Sequence, residues 1–404
     1  MGEVLYIIVR AEHVKEAYGG EKSSVATASA LRRLGVHPRF ITTRADDLVR
    51  ELDEAGLDWE VVPVGDPFTG FRGAPLAGRL RRLLAVVRLN AAVYRASRRG
   101  RASIVHTMAS PGFLGGFLGG LAAGAKVIYH VRTASSNLRT RGLEELAVLL
   151  AHRTITVSES LRDQLAGTGH RLLRPLLRRR IRTIYNGFDF AEVDAACARE
   201  TRAEARAVTG PAPDRVSALL VGGVFVDKGQ LAFIERVLPR LVELAPRVHV
   251  TMLGGVKDRA YADACVAAIA RAGLADHVTF AGHRPRAEVY RFYRGADFLI
   301  LPSEREGLPR VAVEAHAFGL PVVGTATVGT VEAVRDGETG FLVPLDRLEE
   351  LAPAAARLAN EPDLRERMGR AGAAHVRASF GIDKNVAEIL ALYQGLTGDT
   401  DGKA

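Results

Sequence analysis

Short apolar runs alternate with longer amphipathic stretches along almost the whole chain. The runs fall at 3–9, 38–43, 59–64, 103–108, 126–131, 153–158 and 181–187, then at 216–222, 248–254, 277–282, 297–303 and 321–325. Most close on Gly, Ser, Asn or Pro. Runs of this length can span only a strand, and the stretches between them are long enough for a crossover helix. That pattern demands βαβ units and parallel sheets. No repeat of 20–50 residues runs through the chain, which excludes a solenoid.

At 404 residues the chain is too long for one ordinary core and fits two domains of roughly 180–200 residues each. The break falls at about 191–214, where strong apolar residues thin out and Gly210-Pro211-Ala212-Pro213 follows. We expect a first domain over 1–190, a linker with a short helix over 191–214 and a second domain over 215–379, with a last helix over 380–396 returning to the first. The expected architecture is α/β, with two Rossmann-like doubly wound domains facing across a cleft. In such sheets ligands bind beyond the carboxyl ends of the strands.

The net charge of +9 is concentrated in two places, 79–101 and 171–182, where Arg alternates with Leu and Val at helical spacing. A basic amphipathic helix can lie on an anionic membrane surface. It can equally turn one face to its own core and its arginines to water. Aromatic residues are not interleaved with these runs as stacking platforms, so no nucleic-acid partner is expected. No run is long and uncharged enough to span a bilayer. The opening segment lacks a basic lead and a small-residue cleavage site, and reads as a first strand. Cys197 and Cys265 make neither a disulfide framework nor a metal motif. A cytoplasmic location follows, with peripheral contact at the inner membrane face as the added reading of the basic runs.

Three stretches carry chemistry. In 221-VGGVFVDKGQ-230, Gly222 and Gly223 turn the chain from a strand towards a helix and Lys228 follows. Backbone N–H groups and an ammonium suit a phosphate; an ordinary loop with a solvated lysine is the alternative. Gly19 and Gly20, after the first strand, permit close backbone approach to a ligand. In 303-SEREGLPRVAVEAHAFGLPVV-323, Glu306 precedes a helix opened by Pro309, beside the N–H groups of Gly307 and Leu308. Glu314 lies on that helix in a mostly apolar segment. Carboxylates at these two places can accept from vicinal sugar hydroxyls. The bland readings are a helix-dipole partner and a surface residue. The segment 327–343 is expected to form a glycine-bearing loop, a short helix and a turn, adding backbone donors.

Taken together, Glu306-x7-Glu314 within EGLPRVAVEAHAFGLPVV, the following Gly-Thr-Val-Glu turn and DGETGFLVP resemble the C-terminal signature of the retaining glycosyltransferases of family 4, which have the GT-B fold. Gly19-Gly20-Glu21, 184-IYNGFD-189 and 227-DKG-229 extend the resemblance over nearly the whole chain. It implies a hexose-type sugar moved from a nucleoside diphosphate sugar, most often UDP-linked, to a hydroxyl of a glycan, lipid-linked or small-molecule acceptor. By position it implies that Glu306 meets the transferred sugar, that Gly307 and Leu308 give backbone donors, that Glu314 holds the ribose and that Lys228 binds the diphosphate. It also implies a strand-end histidine near the reacting centre, for which His130 fits best and His106 second. No cofactor or metal is implied beyond the nucleotide-sugar co-substrate. One departure stands out: the family usually has Arg where this chain has Gly223. Arg284 and Arg310 are the candidates to replace it. A sugar-nucleotide-binding protein without transfer activity, or a sugar-nucleotide epimerase, are the rival readings.

Overall fold

A computed structural model of the chain describes residues 2–10, 19–64, 76–132, 138–167 and 174–398. The expectations for 15–18, 171–173 and the tail from 399 lie outside the described residues. The chain divides into two compact units, Met1–Phe188 with Ile382–Ala404, and Asp189–Gly381.

The first unit holds β1 (Glu3–Ile8), β2 (His37–Thr42), β3 (Asp58–Val61), β4 (Ile104–Met108), β5 (Lys126–Val131), β6 (Arg153–Thr156) and β7 (Ile181–Thr183). They form one parallel sheet in the order β3-β2-β1-β4-β5-β6-β7. The order reverses between β1 and β4, which makes a topological switch point. Val4, Tyr6 and Ile8 on β1 pack with Leu31 and Phe40 in the core under the sheet. The helix Ile382–Thr397 closes that core with Val386, Ile389 and Tyr393. Its Asn385 donates to Tyr185 O at 2.6 Å and accepts from Thr27 Oγ1 at 2.8 Å. The last helix therefore belongs to the first unit, although the chain has passed through the second to reach it.

The second unit holds β8 (Val216–Val221), β9 (Val248–Leu253), β10 (Val278–Gly282), β11 (Phe298–Leu301), β12 (Val322–Thr325) and β13 (Gly340–Val343). The sheet is again parallel, in the order β10-β9-β8-β11-β12-β13, with its switch point between β8 and β11. The inner strands β1, β4, β8, β11 and β12 are apolar-rich and buried almost throughout, as parallel sheets covered on both faces require, while the edge strands β3 and β10 are largely unburied.

Three expectations need correction. The 191–214 stretch is not a linker but two helices, Phe190–Arg199 and Arg202–Thr209, within the second unit. Their apolar content is low because charge does much of the anchoring. Arg202 and Arg206 reach the buried Asp297 at 2.6 and 2.8 Å, and Asp297 also accepts from Ser217 N at 2.7 Å. A capping box between Thr201 and Glu204 starts the second helix. The turn expected in 327–343 is there, at 337–339, but the edge strand β13 follows it unannounced, its opening glycine having disguised it. The run 181–187 is a strand only as far as Thr183.

Candidate active site

In the second unit, four loops meet beyond the carboxyl ends of β8, β9, β11 and β12. The loop after β8 runs through Gly222 and Gly223 into a 3-10 turn, Val226–Lys228, before the helix Gln230–Arg236 begins. Gly229 joins the two at φ 69°, and any side chain there would strike the carbonyl of Pro302 after β11. That close approach sets Lys228 against the β11 loop. Its Nζ lies 2.6 Å from Glu306 Oε1, with the carboxylate side chain only 11 % exposed. Lys228 follows β8 and Glu306 follows β11, so the pair straddles the switch point of this sheet.

Leu308 is buried, and Gly329 of the β12 loop donates to Glu306 O at 3.0 Å. Among the described residues, the N–H groups of Gly307 and Leu308 find no protein acceptor. They stand ahead of the helix Arg310–Ala317, whose dipole favours an anion at that end. Pro309 occupies the cap position of this helix, one place ahead of its first turn.

Glu314 projects from the same helix, one side of its carboxylate meeting Arg310 Nη2 at 3.3 Å and the other the hydroxyl of Tyr293 at 3.4 Å. Burial and the neighbouring Glu314 charge push the Tyr293 hydroxyl well above its ordinary value, so it stays a donor. The buried carboxylate thus has the partners that burial demands.

The place beside Gly223 is filled by a residue the sequence reading missed. A Cβ built on Gly223 would lie 2.8 Å from Cε of Lys257, and the Lys257 ammonium rests over the Phe225 ring, 5.5 Å from its centroid. Lys257 follows β9, in Gly254-Gly255-Val256-Lys257. The two glycine loops are laced together: Val224 N donates to Gly255 O at 2.9 Å, and the N–H groups of Lys257 and Asp258 both reach Val224 O at 3.2 Å. Gln230 Nε2 holds the Gly223 carbonyl at 2.9 Å. The signal was present in the sequence, since Gly-Gly-Val occurs at 222–224 and again at 254–256. Arg284, by contrast, is not brought to this place. It pairs with Glu288 and lines a cavity with Arg215, His249 and Asp276 that includes none of Lys228, Glu306 and Glu314. Arg310, the other candidate, is on Glu314.

In the first unit, His130 is the next-to-last residue of β5 and is buried. Its Nδ1 lies 3.0 Å from Nε2 of His106, in the middle of β4. Burial, then the charge of Arg132, lowers both rings, His130 well below the usual histidine range and His106 to about 3, so both are neutral near pH 7. Two residues on, Arg132 donates to Ser24 Oγ at 2.9 Å and Asn186 Oδ1 at 3.0 Å. Gly19 and Gly20 open the helix Gly19–Arg33, and a Cβ on Gly20 would press on Arg132 Cδ at 2.8 Å. Gly20 therefore makes room for an arginine that the sequence reading passed over.

With this geometry in hand, the comparisons with known proteins are direct. Residues 201–375 match the family described as glycosyl transferases group 1, and residues 18–192 match glycosyltransferase family 4. A D-inositol 3-phosphate glycosyltransferase of Actinosynnema mirum is 30% identical over 394 residues, covering 91% of this chain and 90% of the relative. A glycosyltransferase of Rickettsia africae superposes with a TM-score of 0.80 at 18% identity, covering 99% of each chain. HepE of Anabaena, solved in complex with UDP-glucose, superposes with a TM-score of 0.75 at 20% identity, over 97% of this chain and 100% of the other. The chain belongs to glycosyltransferase family 4 and has the GT-B fold, two Rossmann-like units each wound about a parallel sheet.

Proposed function

We propose that the protein is a retaining glycosyltransferase that moves a hexose-type sugar from a nucleoside diphosphate sugar, with UDP the first base to test, to an acceptor hydroxyl. The observation that carries this reading is the Lys228–Glu306 pair across the switch point, beside two N–H groups without acceptors among the described residues. A departing diphosphate gains negative charge as the C1–O bond breaks. Lys228 and the N–H groups of Gly307 and Leu308 would meet that charge in place, at no cost in reorganisation. Lys257 would supply the second cation that an arginine at 223 gives in the family, because it fills the volume that such an arginine would enter. Glu306, released from Lys228 by the incoming phosphate, would accept from hydroxyls of the transferred sugar. Glu314 would accept from the ribose, keyed by Arg310 and Tyr293. The acceptor hydroxyl attacks from the face that the diphosphate leaves, and a leaving phosphate oxygen takes its proton. No metal ion is invoked, since basic side chains and N–H groups supply the positive charge.

A relative named for D-inositol 3-phosphate makes a phosphorylated polyol the acceptor to try first, ahead of glycan and lipid-linked acceptors. The test is incubation with UDP-, GDP- and ADP-glucose, with and without acceptor, following nucleoside diphosphate release and the anomeric configuration of the product by NMR. Acceptor-dependent release with retained configuration is expected. Inverted configuration overturns the mechanism. Donor binding without release favours a binding protein, and release with no acceptor an epimerase or hydrolase.

We also propose that the first unit contacts an anionic bilayer. The helix Leu76–Gly100 carries arginines along its length and no carboxylate. It exposes Leu80, Leu83, Leu84 and Val87 in one stripe, and the adjoining helix Ala109–Ala122, itself uncharged, exposes Leu114, Leu118 and Leu121. A second copy of the chain would set arginine against arginine on such a face. Anionic headgroups over an apolar interior match both features.

A further inference from the structure

His130 is one end of a buried hydrogen-bonded chain with three further members. His130 Nδ1 meets His106 Nε2 at 3.0 Å, His106 Nδ1 meets the hydroxyl of Tyr393 at 2.6 Å, and that hydroxyl meets the hydroxyl of Tyr6 at 2.9 Å. All four side chains are nearly or fully buried. His130 Nε2, the far end, is buried and has no protein partner among the described residues.

Such a chain can be polarised in only two ways, because each neutral imidazole and each hydroxyl brings one hydrogen. In the first, Tyr6 donates to Tyr393, Tyr393 donates to His106 Nδ1, and His106 Nε2–H donates to His130 Nδ1. Every hydrogen within the chain is then used, and His130 carries its own on Nε2. In the second, His130 Nδ1–H donates to His106, His106 Nδ1–H donates to Tyr393, and Tyr393 donates to Tyr6. One hydroxyl hydrogen is then stranded: that of Tyr6, or that of Tyr393 if its oxygen goes on accepting from Tyr6 as well. Tyr6 is stacked between Phe40 and His106, each ring centroid 4.8 Å away, and its hydroxyl has no other partner among the described residues. A buried donor without an acceptor is the costlier state, by about tenfold or more in population.

We infer that Tyr393 and His106 fix His130 as a donor through Nε2–H, so that it gives a hydrogen bond to a ligand oxygen and does not take a proton. Tyr393 is a positioning residue acting through two rings, and Tyr6 closes the chain behind it. Tyr393 sits on the helix Ile382–Thr397, so the tautomer at β5 depends on the last stretch of the chain. The nature of the oxygen that Nε2–H meets, a sugar or acceptor hydroxyl, rests on the function proposed above; the tautomer does not.

The test is a multiple-bond proton–nitrogen correlation spectrum of the full-length protein labelled with 15N-histidine, near pH 7.5, with His130→Gln and His106→Gln for assignment. In the wild type His130 should show a protonated Nε2 and a bare Nδ1. Tyr393→Phe removes the hydrogen given to His106, and the share of His130 protonated at Nδ1 should rise about tenfold. Tyr6→Phe keeps the Tyr393–His106 link, and His130 should stay protonated at Nε2, because the second polarisation would now strand the hydroxyl hydrogen of Tyr393. Both changes keep the ring volume, and melting temperature checks that each variant is folded. A wild-type His130 protonated at Nδ1 overturns the inference. So does a tautomer ratio that folded Tyr393→Phe leaves unmoved, or a Tyr6→Phe variant whose His130 becomes protonated mainly at Nδ1. No turnover is needed for this readout, so a missing transferase activity would sink the proposed function and leave the relay standing.

Discussion

Lys228 Nζ stands 2.6 Å from Glu306 Oε1, joining two loops that leave neighbouring strands on either side of the switch point in the second sheet. In the unliganded protein each charge satisfies the other. A diphosphate would take over the lysine and free the carboxylate for the sugar, so binding and alignment of the donor are one event. Lys228→Met should therefore lower kcat by at least about a hundredfold, because the lost charge matters most as the diphosphate leaves. Steady-state donor turnover checks it. A rise in KM with kcat unchanged would reduce Lys228 to a ground-state contact.

Gly223 and Lys257 form the second pair to test. Lys257→Ala should weaken nucleoside diphosphate binding about tenfold and leave nucleoside binding unchanged, since only the diphosphate needs the cation. Gly223→Arg alone should also bind poorly, because its side chain enters space that Lys257 holds. Gly223→Arg combined with Lys257→Ala should recover most of the loss. Calorimetric titration with UDP and uridine measures all three. If Lys257→Ala binds UDP like the wild type, the second cation comes from elsewhere.

Much of this site was legible in the sequence, and what was not has physical causes. Lys228 and Glu306 could be placed because each follows a strand end and strands show themselves through apolar runs, and Glu314 because Pro309 marks where its helix opens. Lys257 escaped because its role arises from contact between two loops 32 positions apart, which only the pairing of β8 with β9 creates. Tyr393 lies 287 positions from His106, and on its helix it reads as one more apolar contact. The helices at 190–209 were read as a linker because arginines on a buried aspartate stand in for leucines. β13 was missed after the turn at 337–339 because it is a four-residue edge strand opened by glycine.

Glu314→Ala bears on the ribose role. A nucleotide that binds only the folded protein raises the melting temperature by mass action, worth about 2.7 kcal/mol at a hundredfold excess over Kd. The wild type should show this shift with UDP. Glu314→Ala should lose most of it, and it should also melt lower without ligand, because Arg310 and Tyr293 lose their shared acceptor. Glu314→Gln should restore most of the unliganded stability by keeping an acceptor there, but little of the UDP shift. A full UDP shift in Glu314→Ala would remove the carboxylate from the nucleotide site.

The arginine helix gives the last prediction. Arg79, Arg81 and Arg88 are exposed on Leu76–Gly100, and each should contribute about 1 kcal/mol to attraction by an anionic surface. Changing all three to Glu should abolish sedimentation with phosphatidylglycerol vesicles without altering the circular dichroism spectrum, because none of the three lies in the core. Binding should fall steeply with salt, as attraction between surface charges is screened over about 8–10 Å at physiological ionic strength. Leu83→Ser with Leu118→Ser should weaken the same binding at every salt concentration, since both residues are more than half exposed and would lose only contact with acyl chains. The two variants separate charge from burial. Vesicle binding unchanged in both would leave the stripe to another partner, and binding lost only in the arginine variant would hold the protein at the headgroups without insertion.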